Sequence, residues 1–243
     1  MKFSSLILAI FFLFGVSVQV NAQERPLSVM TCNECALGRA TDISAAASAL
    51  IREVMESDRS IPKYIIDHAE AVAVFPGDVE REHVLGDFSV GIVSLRDPQT
   101  GLFGAPFFVF VYEGTIHHHV REGKDFVLLA MDKASAKGFL TYKFNIATAR
   151  GGTFGRVVEP NADPVDIQHG FLAYLRERKS IDLWSSFAGN PVYGSKIVYY
   201  CKLNECIYGE SNLTRFIPIS DAVNIRFLEF ADTLNQLYSR KGV

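Results

Sequence analysis

With 24 lysines and arginines against 27 aspartates and glutamates, this 243-residue chain carries a net charge of −3. That balance lacks the basic excess with which nucleic-acid binders displace counterions from phosphates, so nucleic acid is disfavoured as a partner. A local basic patch stays open, because a net sum says nothing about distribution.

Met1-Lys2 gives a positive start, Leu6 to Val18 is an apolar run, and Val20-Asn21-Ala22 supplies the small residues at which a signal peptidase cuts. A removable signal peptide over 1–22 is therefore expected, with a secreted or periplasmic destination. A membrane anchor fits less well, because the run is shorter than the about 20 residues that span a bilayer, and Gln19 and Asn21 end it. No cysteine directly follows the run, which speaks against a lipoprotein. What remains is long enough for one domain with a sizeable core.

Residues 23–40 read as an extended polar lead-in, with a single domain over 41–243. From Thr41 or Asp42 as cap, Ile43, Ala46, Ala47, Leu50, Ile51, Val54 and Met55 recur at three- and four-residue spacing and predict a helix. Pro62 opens a second helix, at a first turn where its missing N–H costs nothing, with Ile65, Ile66 and Ala69 on the buried side. Ala71–Phe75 is a short apolar strand closed by Pro76-Gly77. Phe88–Leu95 alternates, Asp97–Gly101 turns, and Phe107–Tyr112 is apolar. Thr115–Val120 reads as the returning strand and Phe126–Met131 as the next, with Asp132 starting a short helix through Ala136 and Phe139. Further strands are expected around 144–149, 156–159, 170–175 and 196–201. Ser220 caps a last helix over 221–238, with Val223, Phe227, Phe230, Leu234 and Leu237 on one face. The series predicts an α+β fold: N-terminal helices, an antiparallel sheet that is strongly curved or barrel-like, and a C-terminal helix.

The four cysteines fall in two pairs, Cys32/Cys35 and Cys201/Cys206. Such spacings suit thiolate coordination of zinc, but an export signal favours disulfides. Residues 196–201 and 206–208 read as strands around the turn Lys202–Glu205, a hairpin short enough for a structural 201–206 bridge. Cys32–Cys35 is the less certain partner pair, and sequence alone cannot choose among the three connectivities.

Several segments, in order, resemble the SYLF lipid-binding domain. Ile61-Pro62 with Ala71-Val72-Ala73-Val74-Phe75-Pro76 is similar to its opening. Ala105-Pro106-x-Phe108, Gly114-Thr115 and Asp125-Phe126-Val127-Leu128-Leu129-x-Met131 resemble its central block. Gly152-x-Phe154-Gly155-Arg156 resembles a Gly-Pro-x-Gly-Arg-like turn of that family. Phe187-Ala188-Gly189, Gly194, Asn204 and Tyr208-Gly209 resemble its closing block. Two stretches depart from the pattern. Asp78 to Asp87 is acidic where the family is basic and glycine-rich, and His117-His118-His119-Val120-Arg121 replaces a glutamine-and-glycine segment. The resemblance implies non-enzymatic binding of acidic phospholipids, phosphoinositides especially, at a peripheral membrane surface.

Arg176, Arg178 and Lys179 lie beside Tyr174 and Trp184, and basic residues next to amphipathic rings suit headgroups of anionic lipid. Arg156, after a glycine turn whose N–H groups could cradle a phosphate, and Lys196 complete the lipid-binding candidates. A solvated strand end and a plain β-turn are the bland readings of the same residues. His117 and His119 would share one face of a strand, half of a metal site, and solvated histidines are the favoured reading. No G-x-S-x-G or other catalytic constellation is present, so no enzyme, metal or cofactor is expected. The alternatives are an envelope scaffold or protein-interaction domain that has lost the lipid site, and a hydrolase assembled from distant residues.

Overall fold

A computed structural model describes residues 34–56, 61, 63–77, 88–141, 143–145, 170–176, 184–185, 194–209, 216–219 and 227–239. The signal peptide, the strand expected at 156–159 and the cap at Ser220 lie outside them.

Helix α1 (Glu34–Glu56) begins ahead of the expected cap, so the lead-in is helical from Glu34 onward. The apolar spacing runs back through Ala40, which is buried with Ile43, Ala47, Leu50, Ile51 and Val54. Thr41 is an interior residue whose Oγ1 donates to the Leu37 carbonyl at 3.0 Å, the local bond that lets a threonine sit inside a helix. Helix α2 (Lys63–His68) buries Ile65 and Ile66 as expected. Its end is held by Arg96, whose Nη2 donates to the carbonyls of Ile66 and Asp67 and whose Nε donates to that of Ala69. A helix end leaves its last carbonyls short of internal partners, and of these three that of Ile66 also accepts the Ala69 N–H, at 3.1 Å.

Eight strands follow: β1 (Ala71–Phe75), β2 (Ser89–Leu95), β3 (Phe107–Val111), β4 (Asp125–Ala130), β5 (Lys143–Asn145), β6 (Phe171–Arg176), β7 (Trp184–Ser185) and β8 (Lys196–Tyr199). They form one sheet in the order β5-β8-β3-β2-β1-β4-β6-β7, every pairing antiparallel, curled into a half-barrel. The fold is α+β, as the element series predicts. Both faces of the sheet are covered, which explains why β1 is apolar without alternation. Val72, Val74, Ile92, Phe108, Val127, Leu129 and Leu172 pack beneath α1 and α2. Ala73, Phe75, Val109, Phe126, Leu128, Ala173 and Tyr199 form the second core on the other side. There Phe75 lies over its cross-strand neighbour Gly91, where any Cβ would collide with the ring.

Two expected extended segments are helices. The segment expected as a strand over 115–120 is α3 (Gly114–Arg121). Gly114 has φ +83° and turns the chain out of β3, and its missing Cβ leaves room for the Gly194-Ser195 backbone. Ile116 and Val120, four residues apart, then bury one helical face, and Ser195 Oγ accepts the Ile116 N–H at 3.2 Å. The hairpin expected around residues 202–205 is α5 (Cys201–Tyr208). Leu203 and Ile207 are buried one turn apart, and Gly209 at φ 71° closes the helix by donating its N–H to the Glu205 carbonyl.

Asp132 caps α4 (Lys133–Gly138), accepting the Ser135 N–H at 2.7 Å, and also receives the N–H of Gly170 at the entry to β6. The last helix is described as α6 (Glu229–Ser239), and the start expected at 221 lies outside the described residues. It packs along α1: Ser44 Oγ donates to the Phe227 carbonyl, and Arg52 Nη2 reaches Thr233 Oγ1 at 2.8 Å.

Candidate functional site

The register brings the described candidates to one rim of the sheet. Phe75 at the end of β1 pairs with Phe126, and Ser89 at the start of β2 pairs with Val111 at the end of β3. Val111 in turn pairs with Ile197, beside Lys196. On the far side Asp125 pairs with Arg176, and Arg176 with Trp184. Side chains alternate along a strand, so Asp125 faces the same way as Val127 and Leu129, and Lys196 the same way as Val198 opposite Phe110. Arg176 and Lys196 therefore share both a rim and a face, the face that carries α1.

They do not form one pocket. Strands β3, β2, β1 and β4 separate β8 from β6, on the order of 24 Å along the sheet at about 4.8 Å per strand. Each cation also has an acidic neighbour. Both terminal nitrogens of Arg176 engage the carboxylate of Glu53 on α1, in the planar two-point geometry that suits guanidinium. Lys196 Nζ is paired with Glu113 and stands 6.0 Å from the centre of the Tyr112 ring. Lys143, from β5, approaches the same ring at 5.8 Å, within cation–π range. Tyr112 thus carries two ammonium groups, and sequence reasoning passes over Lys143 because its strand is only three residues long. Arg156, Arg178 and Lys179 lie outside the described residues. Trp184 contributes its backbone to β7, and its side chain is outside them.

Asp125 is the rim's most unusual group. Its residue is 0 % exposed, and its Oδ1 accepts the N–H of Gly77, just past β1, at 2.9 Å. Gly77 can approach this closely because it has no Cβ; one would overlap the Gly123-Lys124 backbone. Burial pushes the Asp125 carboxyl up to about 6, opposed by the Gly77 N–H and the Arg176 charge and reinforced by Glu53. One cation lies between two carboxylates.

The histidines belong to α3, and the helix removes the geometry on which a shared metal face for His117 and His119 rested. His117 Nδ1 is 3.2 Å from Ser89 Oγ. His118 Nε2 lies 3.1 Å from Glu122, which also pairs with Lys124 at 2.8 Å. Burial, helped by the nearby Lys124 charge, lowers the His119 pKa below the ordinary value. Among the described residues no group of three or more His, Cys, Asp or Glu side chains is placed to hold a metal ion.

The bridge expected between Cys201 and Cys206 is not made. Both lie on α5, and Cys201 is a free thiol whose Sγ donates to the Tyr199 carbonyl at 3.6 Å. Cys206 is disulfide-bonded, with a partner whose side chain lies outside the described residues. Partial burial raises the Cys201 pKa, so its thiol is a poor nucleophile. No helix among the described residues is long and apolar enough to cross a membrane.

Among the described residues that carry the SYLF resemblance, three pairs touch across the fold. Gly114 lies against Gly194, Asn204 against Phe108, and the Tyr208 hydroxyl donates to the Pro106 carbonyl. Their described roles are structural. No protein-family model matches the chain, and no curated protein matches it.

Proposed function

We propose that this chain is a non-enzymatic, SYLF-like domain of the cell envelope that binds acidic lipid headgroups along the Arg176–Lys196 rim. The observation that carries the reading is the shared rim and face of these two cations, with Lys143 and Tyr112 beside Lys196. Arg178 and Lys179 follow Arg176 in the chain after Glu177. Spaced cations with an amphipathic ring suit a charged surface better than a single small ligand. Sedimentation of the purified chain with vesicles of graded anionic content is the test. Binding should rise with anionic lipid and fall with salt, and binding indifferent to both contradicts the proposal.

A second reading has its own observation. Glu53 and Glu113 already engage the two cations, and the acidic residues Asp78, Glu80, Glu82 and Asp87 follow Gly77 in the chain. A protein-interaction domain of the envelope that keeps the fold without a lipid site fits those facts. Retention of a stable protein partner with no vesicle binding favours it over the first.

A further inference from the structure

We propose that Asp125 is a proton-operated control on the Arg176 end of the rim, so that protonation of its carboxyl strengthens binding to an anionic surface. The inference rests on the anionic-surface reading above. Its basis is geometric. Asp125 has no exposed surface, its strand partner is Arg176, and Arg176 is clamped to Glu53. Around neutral pH the trio of Asp125, Glu53 and Arg176 carries one net negative charge. Taking up a proton at Asp125 brings it to neutrality and leaves Arg176 with Glu53 alone.

Among the described residues, the charged groups that act on Asp125 are Arg176 from β6 and Glu53 from α1. From the end of β1 it receives the Gly77 N–H. On the turn before β4, Lys124 is occupied by Glu122. A carboxyl with no exposed surface, beside a cation that is also held by Glu53, favours its neutral form more than an exposed aspartate does. Its titration, near 6, falls where a modest acidification changes its charge.

The experiment uses the full chain with phosphatidylcholine vesicles containing phosphatidylglycerol, whose headgroup keeps its charge across the range. Sedimentation is followed from about pH 7.5 to about pH 5, with the Arg176 side-chain N–H resonances followed by NMR over the same range. Binding should strengthen about fivefold on acidification, the effect of one charge near an anionic surface. Asp125→Asn keeps an oxygen for the Gly77 N–H, and this variant should bind at the acid level throughout. In the wild-type chain the Arg176 resonances should follow a transition near 6 that is missing in the variant. An equal pH response in both proteins would assign it to the histidines and overturn the inference. A flat Arg176 titration would also overturn it. If no vesicle binding occurs at any pH while Arg176 still follows Asp125, the anionic-surface reading fails and takes the binding claim with it.

Discussion

Asn204 stands in for a strand against Phe108. Its Oδ1 accepts the Phe108 N–H at 2.8 Å, and its Nδ2 donates to the Phe108 carbonyl at 2.7 Å. The same carbonyl accepts the Tyr200 N–H, and the Tyr200 carbonyl receives the Asn204 N–H. A carboxamide has the donor and acceptor of a peptide group side by side, so it can complete a strand's backbone pairing from a helix. Asn235 of α6 repeats the device on Phe103, at 2.7 Å and 2.9 Å. One helix is thus bonded to the backbone of β3 and another to that of the bridge residue Phe103.

Asn204→Ala should therefore destabilise the fold by about 2–4 kcal/mol, because the Phe108 N–H is buried and loses its acceptor. Urea denaturation measures this. Asn204→Asp should be at least as damaging, since a carboxylate cannot donate to the Phe108 carbonyl and its charge is buried. A loss near zero for either variant contradicts the strand-mimic role.

Arg96 supports a second stability prediction. It donates to four carbonyls, those of Ile66, Asp67, Ala69 and Gly101, and its guanidinium lies 4.2 Å from the centre of the Phe103 ring. Lysine keeps the charge and loses the planar fork. Arg96→Lys should cost roughly 2–3 kcal/mol, as several part-buried carbonyls lose a donor. Hydrogen exchange should show the loss first in α2, whose end Arg96 holds.

Asp125 gives a pH-dependent prediction whose sign is fixed by the direction of its shift. Its folded value, near 6, exceeds its ordinary value of 3.8, so between the two the folded state holds the proton more tightly. Its contribution to stability is full below the lower value, falls as pH rises, and is flat above the upper one. Asp125→Asn should remove that decline, gaining at most roughly 3 kcal/mol near neutral pH, at about 1.36 kcal/mol per pK unit. Urea midpoints of both proteins at about pH 4.5 and about pH 7 decide this. An equal decline in both assigns the pH effect elsewhere.

The cysteines make a chemical prediction. Cys206 is bonded and Cys201 is free, and the chain has four cysteines. Peptide mapping of the native protein should therefore find Cys206 joined to Cys32 or Cys35. Alkylation after unfolding but before reduction should label Cys201 and whichever of Cys32 and Cys35 is not joined to Cys206. A 201–206 crosslink contradicts the structure.

Where the hydrophobic pattern was unambiguous, the fold was legible in the sequence. Strands β1 to β4 and β6 sit where apolar runs ended at glycine, proline or aspartate, and Asp132 announced its helix. The errors came where two periods compete over few residues. In 115–120, Thr115, Ile116 and Val120 favour a strand by type, yet Ile116 and Val120 are also one helical turn apart, and packing chose the helix. In 201–208 the charged residues Lys202 and Glu205 suggested a turn, and the evidence against it was Leu203, Ile207 and a following Gly209. Of the site, Arg176 and Lys196 were legible as cations near aromatic residues. Glu53, Glu113 and Asp125 were not, because their roles depend on which strands and helices lie side by side, and no local pattern encodes that.

On the proposed reading the Arg176–Lys196 rim, and not overall charge, binds anionic surfaces. A charge-matched comparison tests it most directly. The double variant Arg176→Ala/Lys196→Ala removes two cations from the rim. Lys133→Ala/Lys137→Ala removes two from α4, which follows the opposite end of β4. The two proteins have the same net charge. With phosphatidylglycerol-containing vesicles at low salt, the rim variant should lose at least tenfold in affinity, about 1 kcal/mol per cation, and the α4 variant should bind as the unmodified chain does. Equal losses in both variants, or no loss in the rim variant, would rule out the rim as the binding surface.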